Sequence, residues 1–437
     1  MRHYKTCFFI VFFVFGLFNS SFVYSQNMEI RGKIISESDD SPVPFATISL
    51  ARLKTGTSAN ENGYFILELK KIKETDVLLI SCVGYNSKTI SLSELKDNSI
   101  NIIKITQGLT MLEEQVVTAD ALDARAIVSK AAKNRKKIMS GKPYLISAIY
   151  NEQLYIEEEL SGAMQGFGMA YIDGYNDRNY AIQNKPRDQI QWKQIRRSEY
   201  NNQLEEYTSY VGAYKLLKAK DNYFYNGPVS TPRIANYEYF LDSLSIYNDA
   251  TVFLIRFESK KNKGETGRLV IDEETYSILN IEVNNSNEDK KYDFFNKKIK
   301  SVRSKFTLSM SKIGKIYYIN AISFDLESIK KDTEESKIRE HFDLYAGQYN
   351  SGSGVIKTNQ AQKSVLFYEM VNPQISFMDS FWEEKTTIEF PVQMKPEYPK
   401  QFEANNGRRI APIPDGFSNY QDLYNDRQVF DIYFADF

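Results

Sequence analysis

The residue types that most often carry nucleophilic or acid–base chemistry are scarce in this 437-residue chain, which has two cysteines and two histidines. One of each lies in the first 25 residues, which leaves Cys82 and His341. Cys82 lies in the apolar run Val77 to Val83, where a buried, inert thiol is expected. His341 lies in the charged stretch Lys337 to Asp343, which favours a surface position. We therefore predict that neither residue is catalytic.

Sites for metals, phosphates and cofactors are not indicated either. A single histidine cannot supply a two-histidine zinc site, and the chain has no Gly-x-Ser-x-Gly turn for a serine nucleophile. The glycines of Ser161 to Gly168 lack the context of a phosphate loop, and Asp173 to Asp177 is typical of a turn. We predict no metal and no cofactor. The 56 acidic residues still permit a carboxylate pair for glycoside hydrolysis.

The charge balance argues against nucleic acid as a partner. The formal net charge is -1, and loss of Arg2 and Lys5 with the first 25 residues would bring it to -3. A basic cluster has no aromatic residues interleaved and is interpreted as the solvated end of a helix. The cluster consists of Lys133, Arg135, Lys136 and Lys137. The 30 tyrosines and 28 phenylalanines favour β-structure.

The N-terminus has the pattern of a cleavable export signal. Arg2 and Lys5 precede an apolar run from Cys7 to Phe18, and small residues follow up to Ser25. The run is shorter than the ~20 residues of a membrane-spanning helix. Cys7 begins the run rather than following it, so lipid attachment is not expected. We predict residues 1–25 as a signal peptide and an exported protein, periplasmic or associated with the outer membrane.

Short strands separated by turns follow the signal. They are predicted at Ile30 to Ile35, Ala46 to Leu50, Tyr64 to Leu69, Val77 to Ser81, Lys88 to Leu92 and Ile100 to Ile105. Strands of this length at this spacing indicate an antiparallel sandwich. Gly63 is expected to turn with positive φ, and Gly84 to end a buried strand so that Tyr85 can fold over it.

This region resembles the carboxypeptidase regulatory-like (transthyretin-like) domain. The resemblance rests on four motifs in order: Arg31 to Ile35, Ser41 to Ile48, Thr55 to Phe65 and Ser81 to Tyr85. It implies a seven-strand-type β-sandwich and no peptidase activity. The segment after it, Leu112 to Ala119, looks like the strand that follows this domain in transporters of the Bacteroidota outer membrane. We interpret that segment as a linker strand.

A helix is predicted at residues 121–139, capped by Asp120 or Asp123. Strands dominate after it, including Tyr144 to Tyr155, Val252 to Glu258, Val302 to Met310, Ile316 to Leu326 and Thr386 to Phe390. The stretch Gly264 to Glu282 looks like a hairpin of periplasmic lipoprotein-carrier half-barrels. Asp188 to Ser198 is similar to a stretch of uncharacterised β-rich Bacteroidota envelope proteins. Tyr171, Tyr175, Tyr180 and Trp192 are attributed to core and hairpin packing rather than to a sugar platform.

The predicted fold is mainly β: an N-terminal sandwich, a linking helix and a half-barrel-like antiparallel region. The expected boundaries are 1–25 for the signal, 26–107 for the sandwich, 108–142 for linker strand and helix, 143–390 for the β-rich domain and 391–437 for a Pro-rich arm with a terminal strand. The predicted function is a non-enzymatic envelope binding or assembly protein. Its partner would be an envelope protein or glycan, and an apolar or extended ligand is also considered. The alternatives are an outer-membrane β-barrel of residues 144–437 and a carbohydrate-active enzyme.

Overall fold

The computed structural model describes most of the chain between residues 27 and 350. The described ranges are 27–108 without 54, 61, 71, 74, 97 and 98, then 123–175, 188–197, 212–247, 250–286, 291–294, 297–313, 315–331 and 335–350. The predicted signal, the segment Leu112 to Ala119, the strand Thr386 to Phe390 and the arm 391–437 lie outside the described residues.

Seven strands form the N-terminal body. They are β1 (Asn27–Ser36), β2 (Thr47–Leu50), β3 (Thr55–Ser58), β4 (Tyr64–Lys70), β5 (Val77–Ser81), β6 (Lys88–Ser91) and β7 (Ile100–Ile105). One sheet has the order β4-β1-β7 and the other β3-β2-β5-β6. All neighbours are antiparallel except β1 and β7. The predicted seven-strand sandwich is confirmed.

The two small sheets enclose an apolar core. Alternate residues of the strands point inward, as in Ile48 and Leu50 of β2 and Phe65 and Leu67 of β4, and none of these four is more than 2% exposed. Gly63 has φ 79° and Gly84 has φ 83°, the left-handed conformation that glycine adopts without steric cost.

One helix follows the sandwich and a second lies further along the chain. The helix α1 spans Ala124–Ile138, and Asp123 caps it by accepting a hydrogen bond from the Arg125 amide at 2.9 Å. This confirms the linking helix. The helix α2 spans Gly212–Tyr225 and was not predicted.

Eleven strands of the described residues form one large antiparallel sheet. They are β8 (Tyr144–Ile156), β9 (Glu159–Ile172), β10 (Gln189–Arg197), β11 (Tyr237–Tyr247), β12 (Ala250–Ser259), β13 (Glu265–Asp272), β14 (Ile278–Asn285), β15 (Lys291–Phe294), β16 (Lys297–Ile313), β17 (Ile316–Lys331) and β18 (Glu335–Asn350). The order is β10-β9-β8-β18-β17-β16-β14-β13-β12-β11, and β15 pairs with β16. The mainly β fold with a β-rich antiparallel region is thus confirmed.

The two faces of the large sheet differ in character. On the helix face, Val283, Phe306, Phe324 and Phe342 are cross-strand neighbours in one row over β14, β16, β17 and β18, and all are buried. Tyr223 of α2 packs on this row, with its ring centroid 4.4 Å from that of Phe306. The opposite face, called the polar face below, carries Ser323, Asp325, His341 and Asp343 at alternate positions of β17 and β18.

The predicted hairpin at Gly264 to Glu282 is confirmed as β13 and β14, which pair antiparallel around a turn. Asp272 fixes this turn by accepting hydrogen bonds from the amide and the hydroxyl of Thr275, at 2.7 and 2.6 Å. Within the described residues, no helix is long and apolar enough to cross a membrane.

Candidate functional site

One face of the sandwich is buried against the large sheet. Every residue of β2 and of β3 is buried. In an isolated sandwich, alternate side chains of these strands would face water. The outward-facing residues of the two strands are all small: Thr47, Ser49, Gly56 and Ser58. Strand β18 of the large sheet lies against β3 and β4. Small side chains let the two bodies approach closely, and we call this contact the junction.

Asn320 of β17 is the central polar residue of the junction and is 1% exposed. Its side-chain amide donates to the main-chain oxygen of Phe45 at 3.0 Å. Its side-chain oxygen accepts from the Ser58 hydroxyl and, at 2.9 Å, from that of Ser311 in the large sheet. Both polar ends of the amide are therefore satisfied, and they join the two bodies.

Phe45 is held in an uncommon backbone conformation at this contact, with φ 60°. Such a conformation is unfavourable for a bulky residue unless its surroundings fix it. The Phe45 amide donates to the main-chain oxygen of Ala59 at 3.2 Å, and the Phe45 carbonyl accepts from the Asn320 side chain. The Phe45 ring stacks on that of Tyr345, with centroids 6.1 Å apart. The junction thus fixes the Phe45 backbone from two bodies at once.

A second contact of the two bodies involves Gly84. Its amide donates to the main-chain oxygen of Ile246 in β11 at 2.9 Å, and its own oxygen accepts from the Gly108 amide at 2.9 Å. A Cβ atom at Gly108 would lie 2.1 Å from a side-chain carbon of Ile246. Gly84 was predicted to end a strand, and its role in the junction was not predicted.

His341 lies between two carboxylates on the polar face. Its Nδ1 is 2.8 Å from Asp325 Oδ1 and its Nε2 is 2.6 Å from Asp343 Oδ2. The expectation of a surface position for His341 is wrong, because the residue is only 8% exposed. Of the charged residues around it, Lys337 and Arg339 are exposed, and Arg339 forms a 3.1 Å cross-strand ion pair with Asp325.

The electrostatics of this cluster favour the ionised form of Asp325. Burial disfavours the charged form of Asp325, but the hydrogen bonds and charges of His341 and Arg339 outweigh it and hold the pKa of Asp325 below its usual value. Asp343 is wholly buried, and within the described part of the chain its Oδ1 has no hydrogen-bond partner. Its other oxygen, Oδ2, faces Nε2 of the His341 ring.

This arrangement is unsuited to general-base catalysis. A histidine that accepts a proton from substrate needs a free ring nitrogen within reach of it, and here both nitrogens face carboxylates. A ring between two anions is instead suited to donate from both nitrogens, which only the imidazolium can do. The strand pairing of the large sheet brings His341 together with Asp325 and Asp343. Cys82 lies in the sandwich.

Cys82 follows β5 and packs against the sandwich core. The residue is partly exposed, and its thiol lies 3.7 Å from the main-chain oxygen of Pro44. Burial raises the pKa of this thiol to about 12, so the thiolate is rare at neutral pH.

The basic cluster of α1 and the aromatic residues singled out in the sequence were expected to be solvated or to pack in the fold, respectively. Lys133, Lys136 and Lys137 are exposed as expected, but the solvated interpretation is wrong for Arg135, which is 3% exposed and donates to the main-chain oxygen of Phe224. Tyr175 stacks on Tyr225 of α2 with centroids 5.6 Å apart, which agrees with the predicted packing role. Tyr180 and the side chain of Trp192 are outside the described set.

The glycine-rich stretch Ser161 to Gly168 lies within β9. Gly166 and Gly168 are the cross-strand neighbours of Tyr150 and Ala148. Among the described residues, no group of three or more histidine, cysteine or acidic side chains is placed to hold a metal ion.

The other face of the sandwich is open. Ile100 and Ile102 point outward from β7, an edge strand, and are 47% and 57% exposed. The remaining large apolar side chains of comparable exposure in the described ranges are Val77 at 51% and Phe240 at 38%. The two exposed isoleucines therefore lie side by side on one strand edge of the sandwich.

The class defined by these features is a mainly β protein in which a seven-stranded sandwich is docked on a large antiparallel sheet. Residues 30–117 match the family CarboxypepD_reg-like domain, which agrees with the resemblance in the sequence. A comparison with curated proteins found no match.

Several solved structures are similar to parts of the chain. A domain assigned to outer membrane lipoprotein sorting in Vibrio parahaemolyticus is 13% identical, with 56% of this chain and 99% of that chain covered and a TM-score of 0.25. A LolA superfamily protein of Nitrosomonas europaea is 8% identical, with coverages of 52% and 94% and a TM-score of 0.19. The Pseudomonas aeruginosa MucA/MucB complex is 6% identical, with coverages of 51% and 93% and a TM-score of 0.17. At these scores the similarities carry no conclusion about function.

Proposed function

We propose that this chain is a non-enzymatic binding or assembly protein of the bacterial cell envelope. The sandwich presents its open face, which carries Ile100 and Ile102, to a protein partner. The observation that supports this most is the difference in solvent exposure between the two faces of the sandwich. The face of Thr47, Ser49 and Ser58 is buried in the junction, whereas Ile100 and Ile102 remain exposed on the other side.

The chemistry of the open face favours protein over glycan. Sugars are commonly held by exposed aromatic rings, and the aromatic residue on this face, Tyr64, is engaged by Lys33, whose Nζ lies 4.4 Å from the ring centroid. Aliphatic side chains beside the edge of β7 suit an extended protein segment, which could add a strand there. Export of the chain to the envelope rests on the pattern of residues 1–25.

The helix face of the large sheet is where an apolar ligand would bind. The row of Val283, Phe306, Phe324 and Phe342 is continuous over four strands, and α2 covers it through Tyr223. An apolar or extended ligand would replace the contacts of Tyr223 along this row. The change Tyr223→Ala should then increase binding of an apolar fluorophore, and an unchanged affinity would remove this part of the proposal.

The partner proposal is tested by crosslinking and affinity isolation from envelopes of the native host. The double change Ile100→Lys with Ile102→Lys should reduce the recovered partner at least 10-fold, and Phe240→Lys on the large sheet is the matched control with no such loss. Equal recovery from all variants would contradict the proposal. So would turnover of an ester, peptide or glycan by the purified protein that a single substitution abolishes.

A further inference from the structure

We infer that His341 is a proton-sensitive lock of the junction: its imidazolium bridges Asp325 and Asp343 and keeps the sandwich docked, and loss of its proton loosens the docked state. The inference concerns regulation of the junction and is independent of the proposed partner. Its basis is the placement of one ionisable ring between two carboxylates, next to the residues that contact the sandwich.

Asp343 shares a face of β18 with a residue of the junction. Asp343 and Tyr345 are two residues apart on β18 and therefore point to the same face of the sheet. Tyr345 stacks on Phe45 of the sandwich, and β18 lies against β3 and β4. Asp343 is 0% exposed, so water can hydrate its carboxylate only if the structure around it opens.

Deprotonation of His341 removes one of the two hydrogen bonds that its imidazolium can donate. The neutral ring keeps one N–H donor, so one of the two carboxylates then faces a nitrogen lone pair at 2.6 or 2.8 Å. Asp325 is partly exposed and is also held by Arg339 at 3.1 Å, whereas Asp343 has one oxygen without a hydrogen-bond partner among the described residues. A buried carboxylate that loses its counter-charge is strongly destabilising, and opening of the junction lets water solvate it.

Other charged and polar side chains surround this cluster. Lys305 of β16 lies directly opposite Asp325 of β17, and its ammonium group forms an ion pair with Glu282 at 3.1 Å. On β8 the register neighbours of His341 and Asp343 are Gln153 and Asn151, which are neutral. Other charged or titratable residues on this face include Arg303 of β16, Glu327 of β17, Lys337, Arg339 and Tyr345 of β18, and Tyr155 of β8. Of the sandwich strands packed here, β4 carries Tyr64, Glu68 and Lys70, and β3 has no titratable residue.

The sign of the pH effect follows from the partners. The protonated ring can donate to both carboxylates and the neutral ring to only one, so the stabilisation is present while His341 carries its second proton and is lost as rising pH removes that proton. His341 is the only histidine beyond residue 3 of the sequence, so other histidines do not obscure the titration.

Hydrogen exchange of β2 and β3 on the exported chain, measured from pH 6 to pH 9 and corrected for intrinsic rates, tests the inference. Protection should fall about 10-fold as pH rises. The change His341→Gln should give low protection at every pH. Asp343→Asn, which removes the buried charge and keeps the shape, should give protection that no longer depends on pH, and it keeps the test valid if the glutamine variant fails to fold. Protection independent of pH in the unchanged protein, or a pH dependence that survives Asp343→Asn, would overturn the inference.

Discussion

The side-chain amide of Asn320 in the large sheet donates a hydrogen bond to the main-chain oxygen of Phe45 in the sandwich, at 3.0 Å. The two residues are 275 positions apart in the chain, and Asn320 also binds Ser58 and Ser311. The sandwich is therefore held by specific buried hydrogen bonds, and each of these should have a measurable effect on stability.

The change Asn320→Ala should lower the free energy of unfolding by about 3 kcal/mol, because it leaves buried polar groups of both bodies without partners. Urea unfolding measures the effect. The matched control is Asn280→Ala, which removes a 3.0 Å hydrogen bond to Ser309 within the large sheet and should cost about 1 kcal/mol. Equal losses in the two variants would contradict the central role of Asn320.

Three glycine substitutions should separate backbone strain from steric overlap. Gly141 has open space around it, so Gly141→Ala should change stability by less than about 0.5 kcal/mol. Gly84 has positive φ, but a Cβ atom there would have no neighbouring atom within 4 Å. The change Gly84→Ala should therefore lower the free energy of unfolding by about 1 kcal/mol. Gly63 has positive φ and would place Cβ 2.4 Å from the Ile34 oxygen, so roughly 3 kcal/mol is expected. Thermal unfolding gives the order, and any other order rejects this explanation.

Lys220 of α2 forms a buried ion pair with Asp188 at 2.6 Å, and the side chains are 8% and 5% exposed. Burial alone would lower the pKa of Lys220, but the charges of Asp188 and Asp221 outweigh it and raise this pKa. The change Lys220→Met should cost about 3–5 kcal/mol because it leaves Asp188 buried and uncompensated. Adding Asp188→Asn should recover part of the loss in denaturant unfolding. A double variant as unstable as the sum of the single ones would show that the two side chains do not interact.

The thiol of Cys82 should react slowly in the folded protein. With the pKa raised from 9.0 to about 12, the thiolate fraction at pH 8 falls by about 10³-fold. A thiol reagent followed by absorbance should therefore label the urea-unfolded chain quickly and the native chain at least 10²-fold more slowly. Comparable rates in the two states would show that Cys82 is accessible and reactive.

Asp325 should make stability depend on pH at the acid end. Its pKa is lowered in the folded state, so its contribution is present above about pH 4 and is lost as pH falls through the folded value. Asp325→Asn should flatten this part of the stability profile. Asp242→Asn, which removes a 3.3 Å surface ion pair with Arg256, is the control and should leave the profile nearly unchanged. An identical acid slope in Asp325→Asn and the unchanged protein would contradict the assignment.

Local pattern predicted the elements with clear apolar alternation, such as β7, and the helix capped by Asp123. It missed β3, because Thr55 to Ser58 has no apolar side chain, and its outward-facing Gly56 and Ser58 are buried by a sheet distant in sequence. It missed β9, because glycine is uncommon inside strands and this stretch contains Gly162, Gly166 and Gly168.

The site was harder to predict than the fold for the same reason. The charged stretch around His341 is typical of a surface, and only the cross-strand register brings Asp325 beside it. Arg135 was grouped with exposed lysines, yet the carbonyl that it binds belongs to Phe224 in a distant helix. One signal was present in the sequence: Thr47, Ser49 and Ser58 are small residues facing away from the sandwich core, which is compatible with a close contact.

The central claim is that one sandwich face belongs to the large sheet and the other is available to a partner. Site-specific photo-crosslinking in the envelope tests both halves, with benzoylphenylalanine at Phe45 in one variant and at Ile102 in another. Position 45 should crosslink within the chain, to β18 around Tyr345, and position 102 should crosslink to a second protein. Intermolecular products at position 45, or none at position 102, would contradict the account.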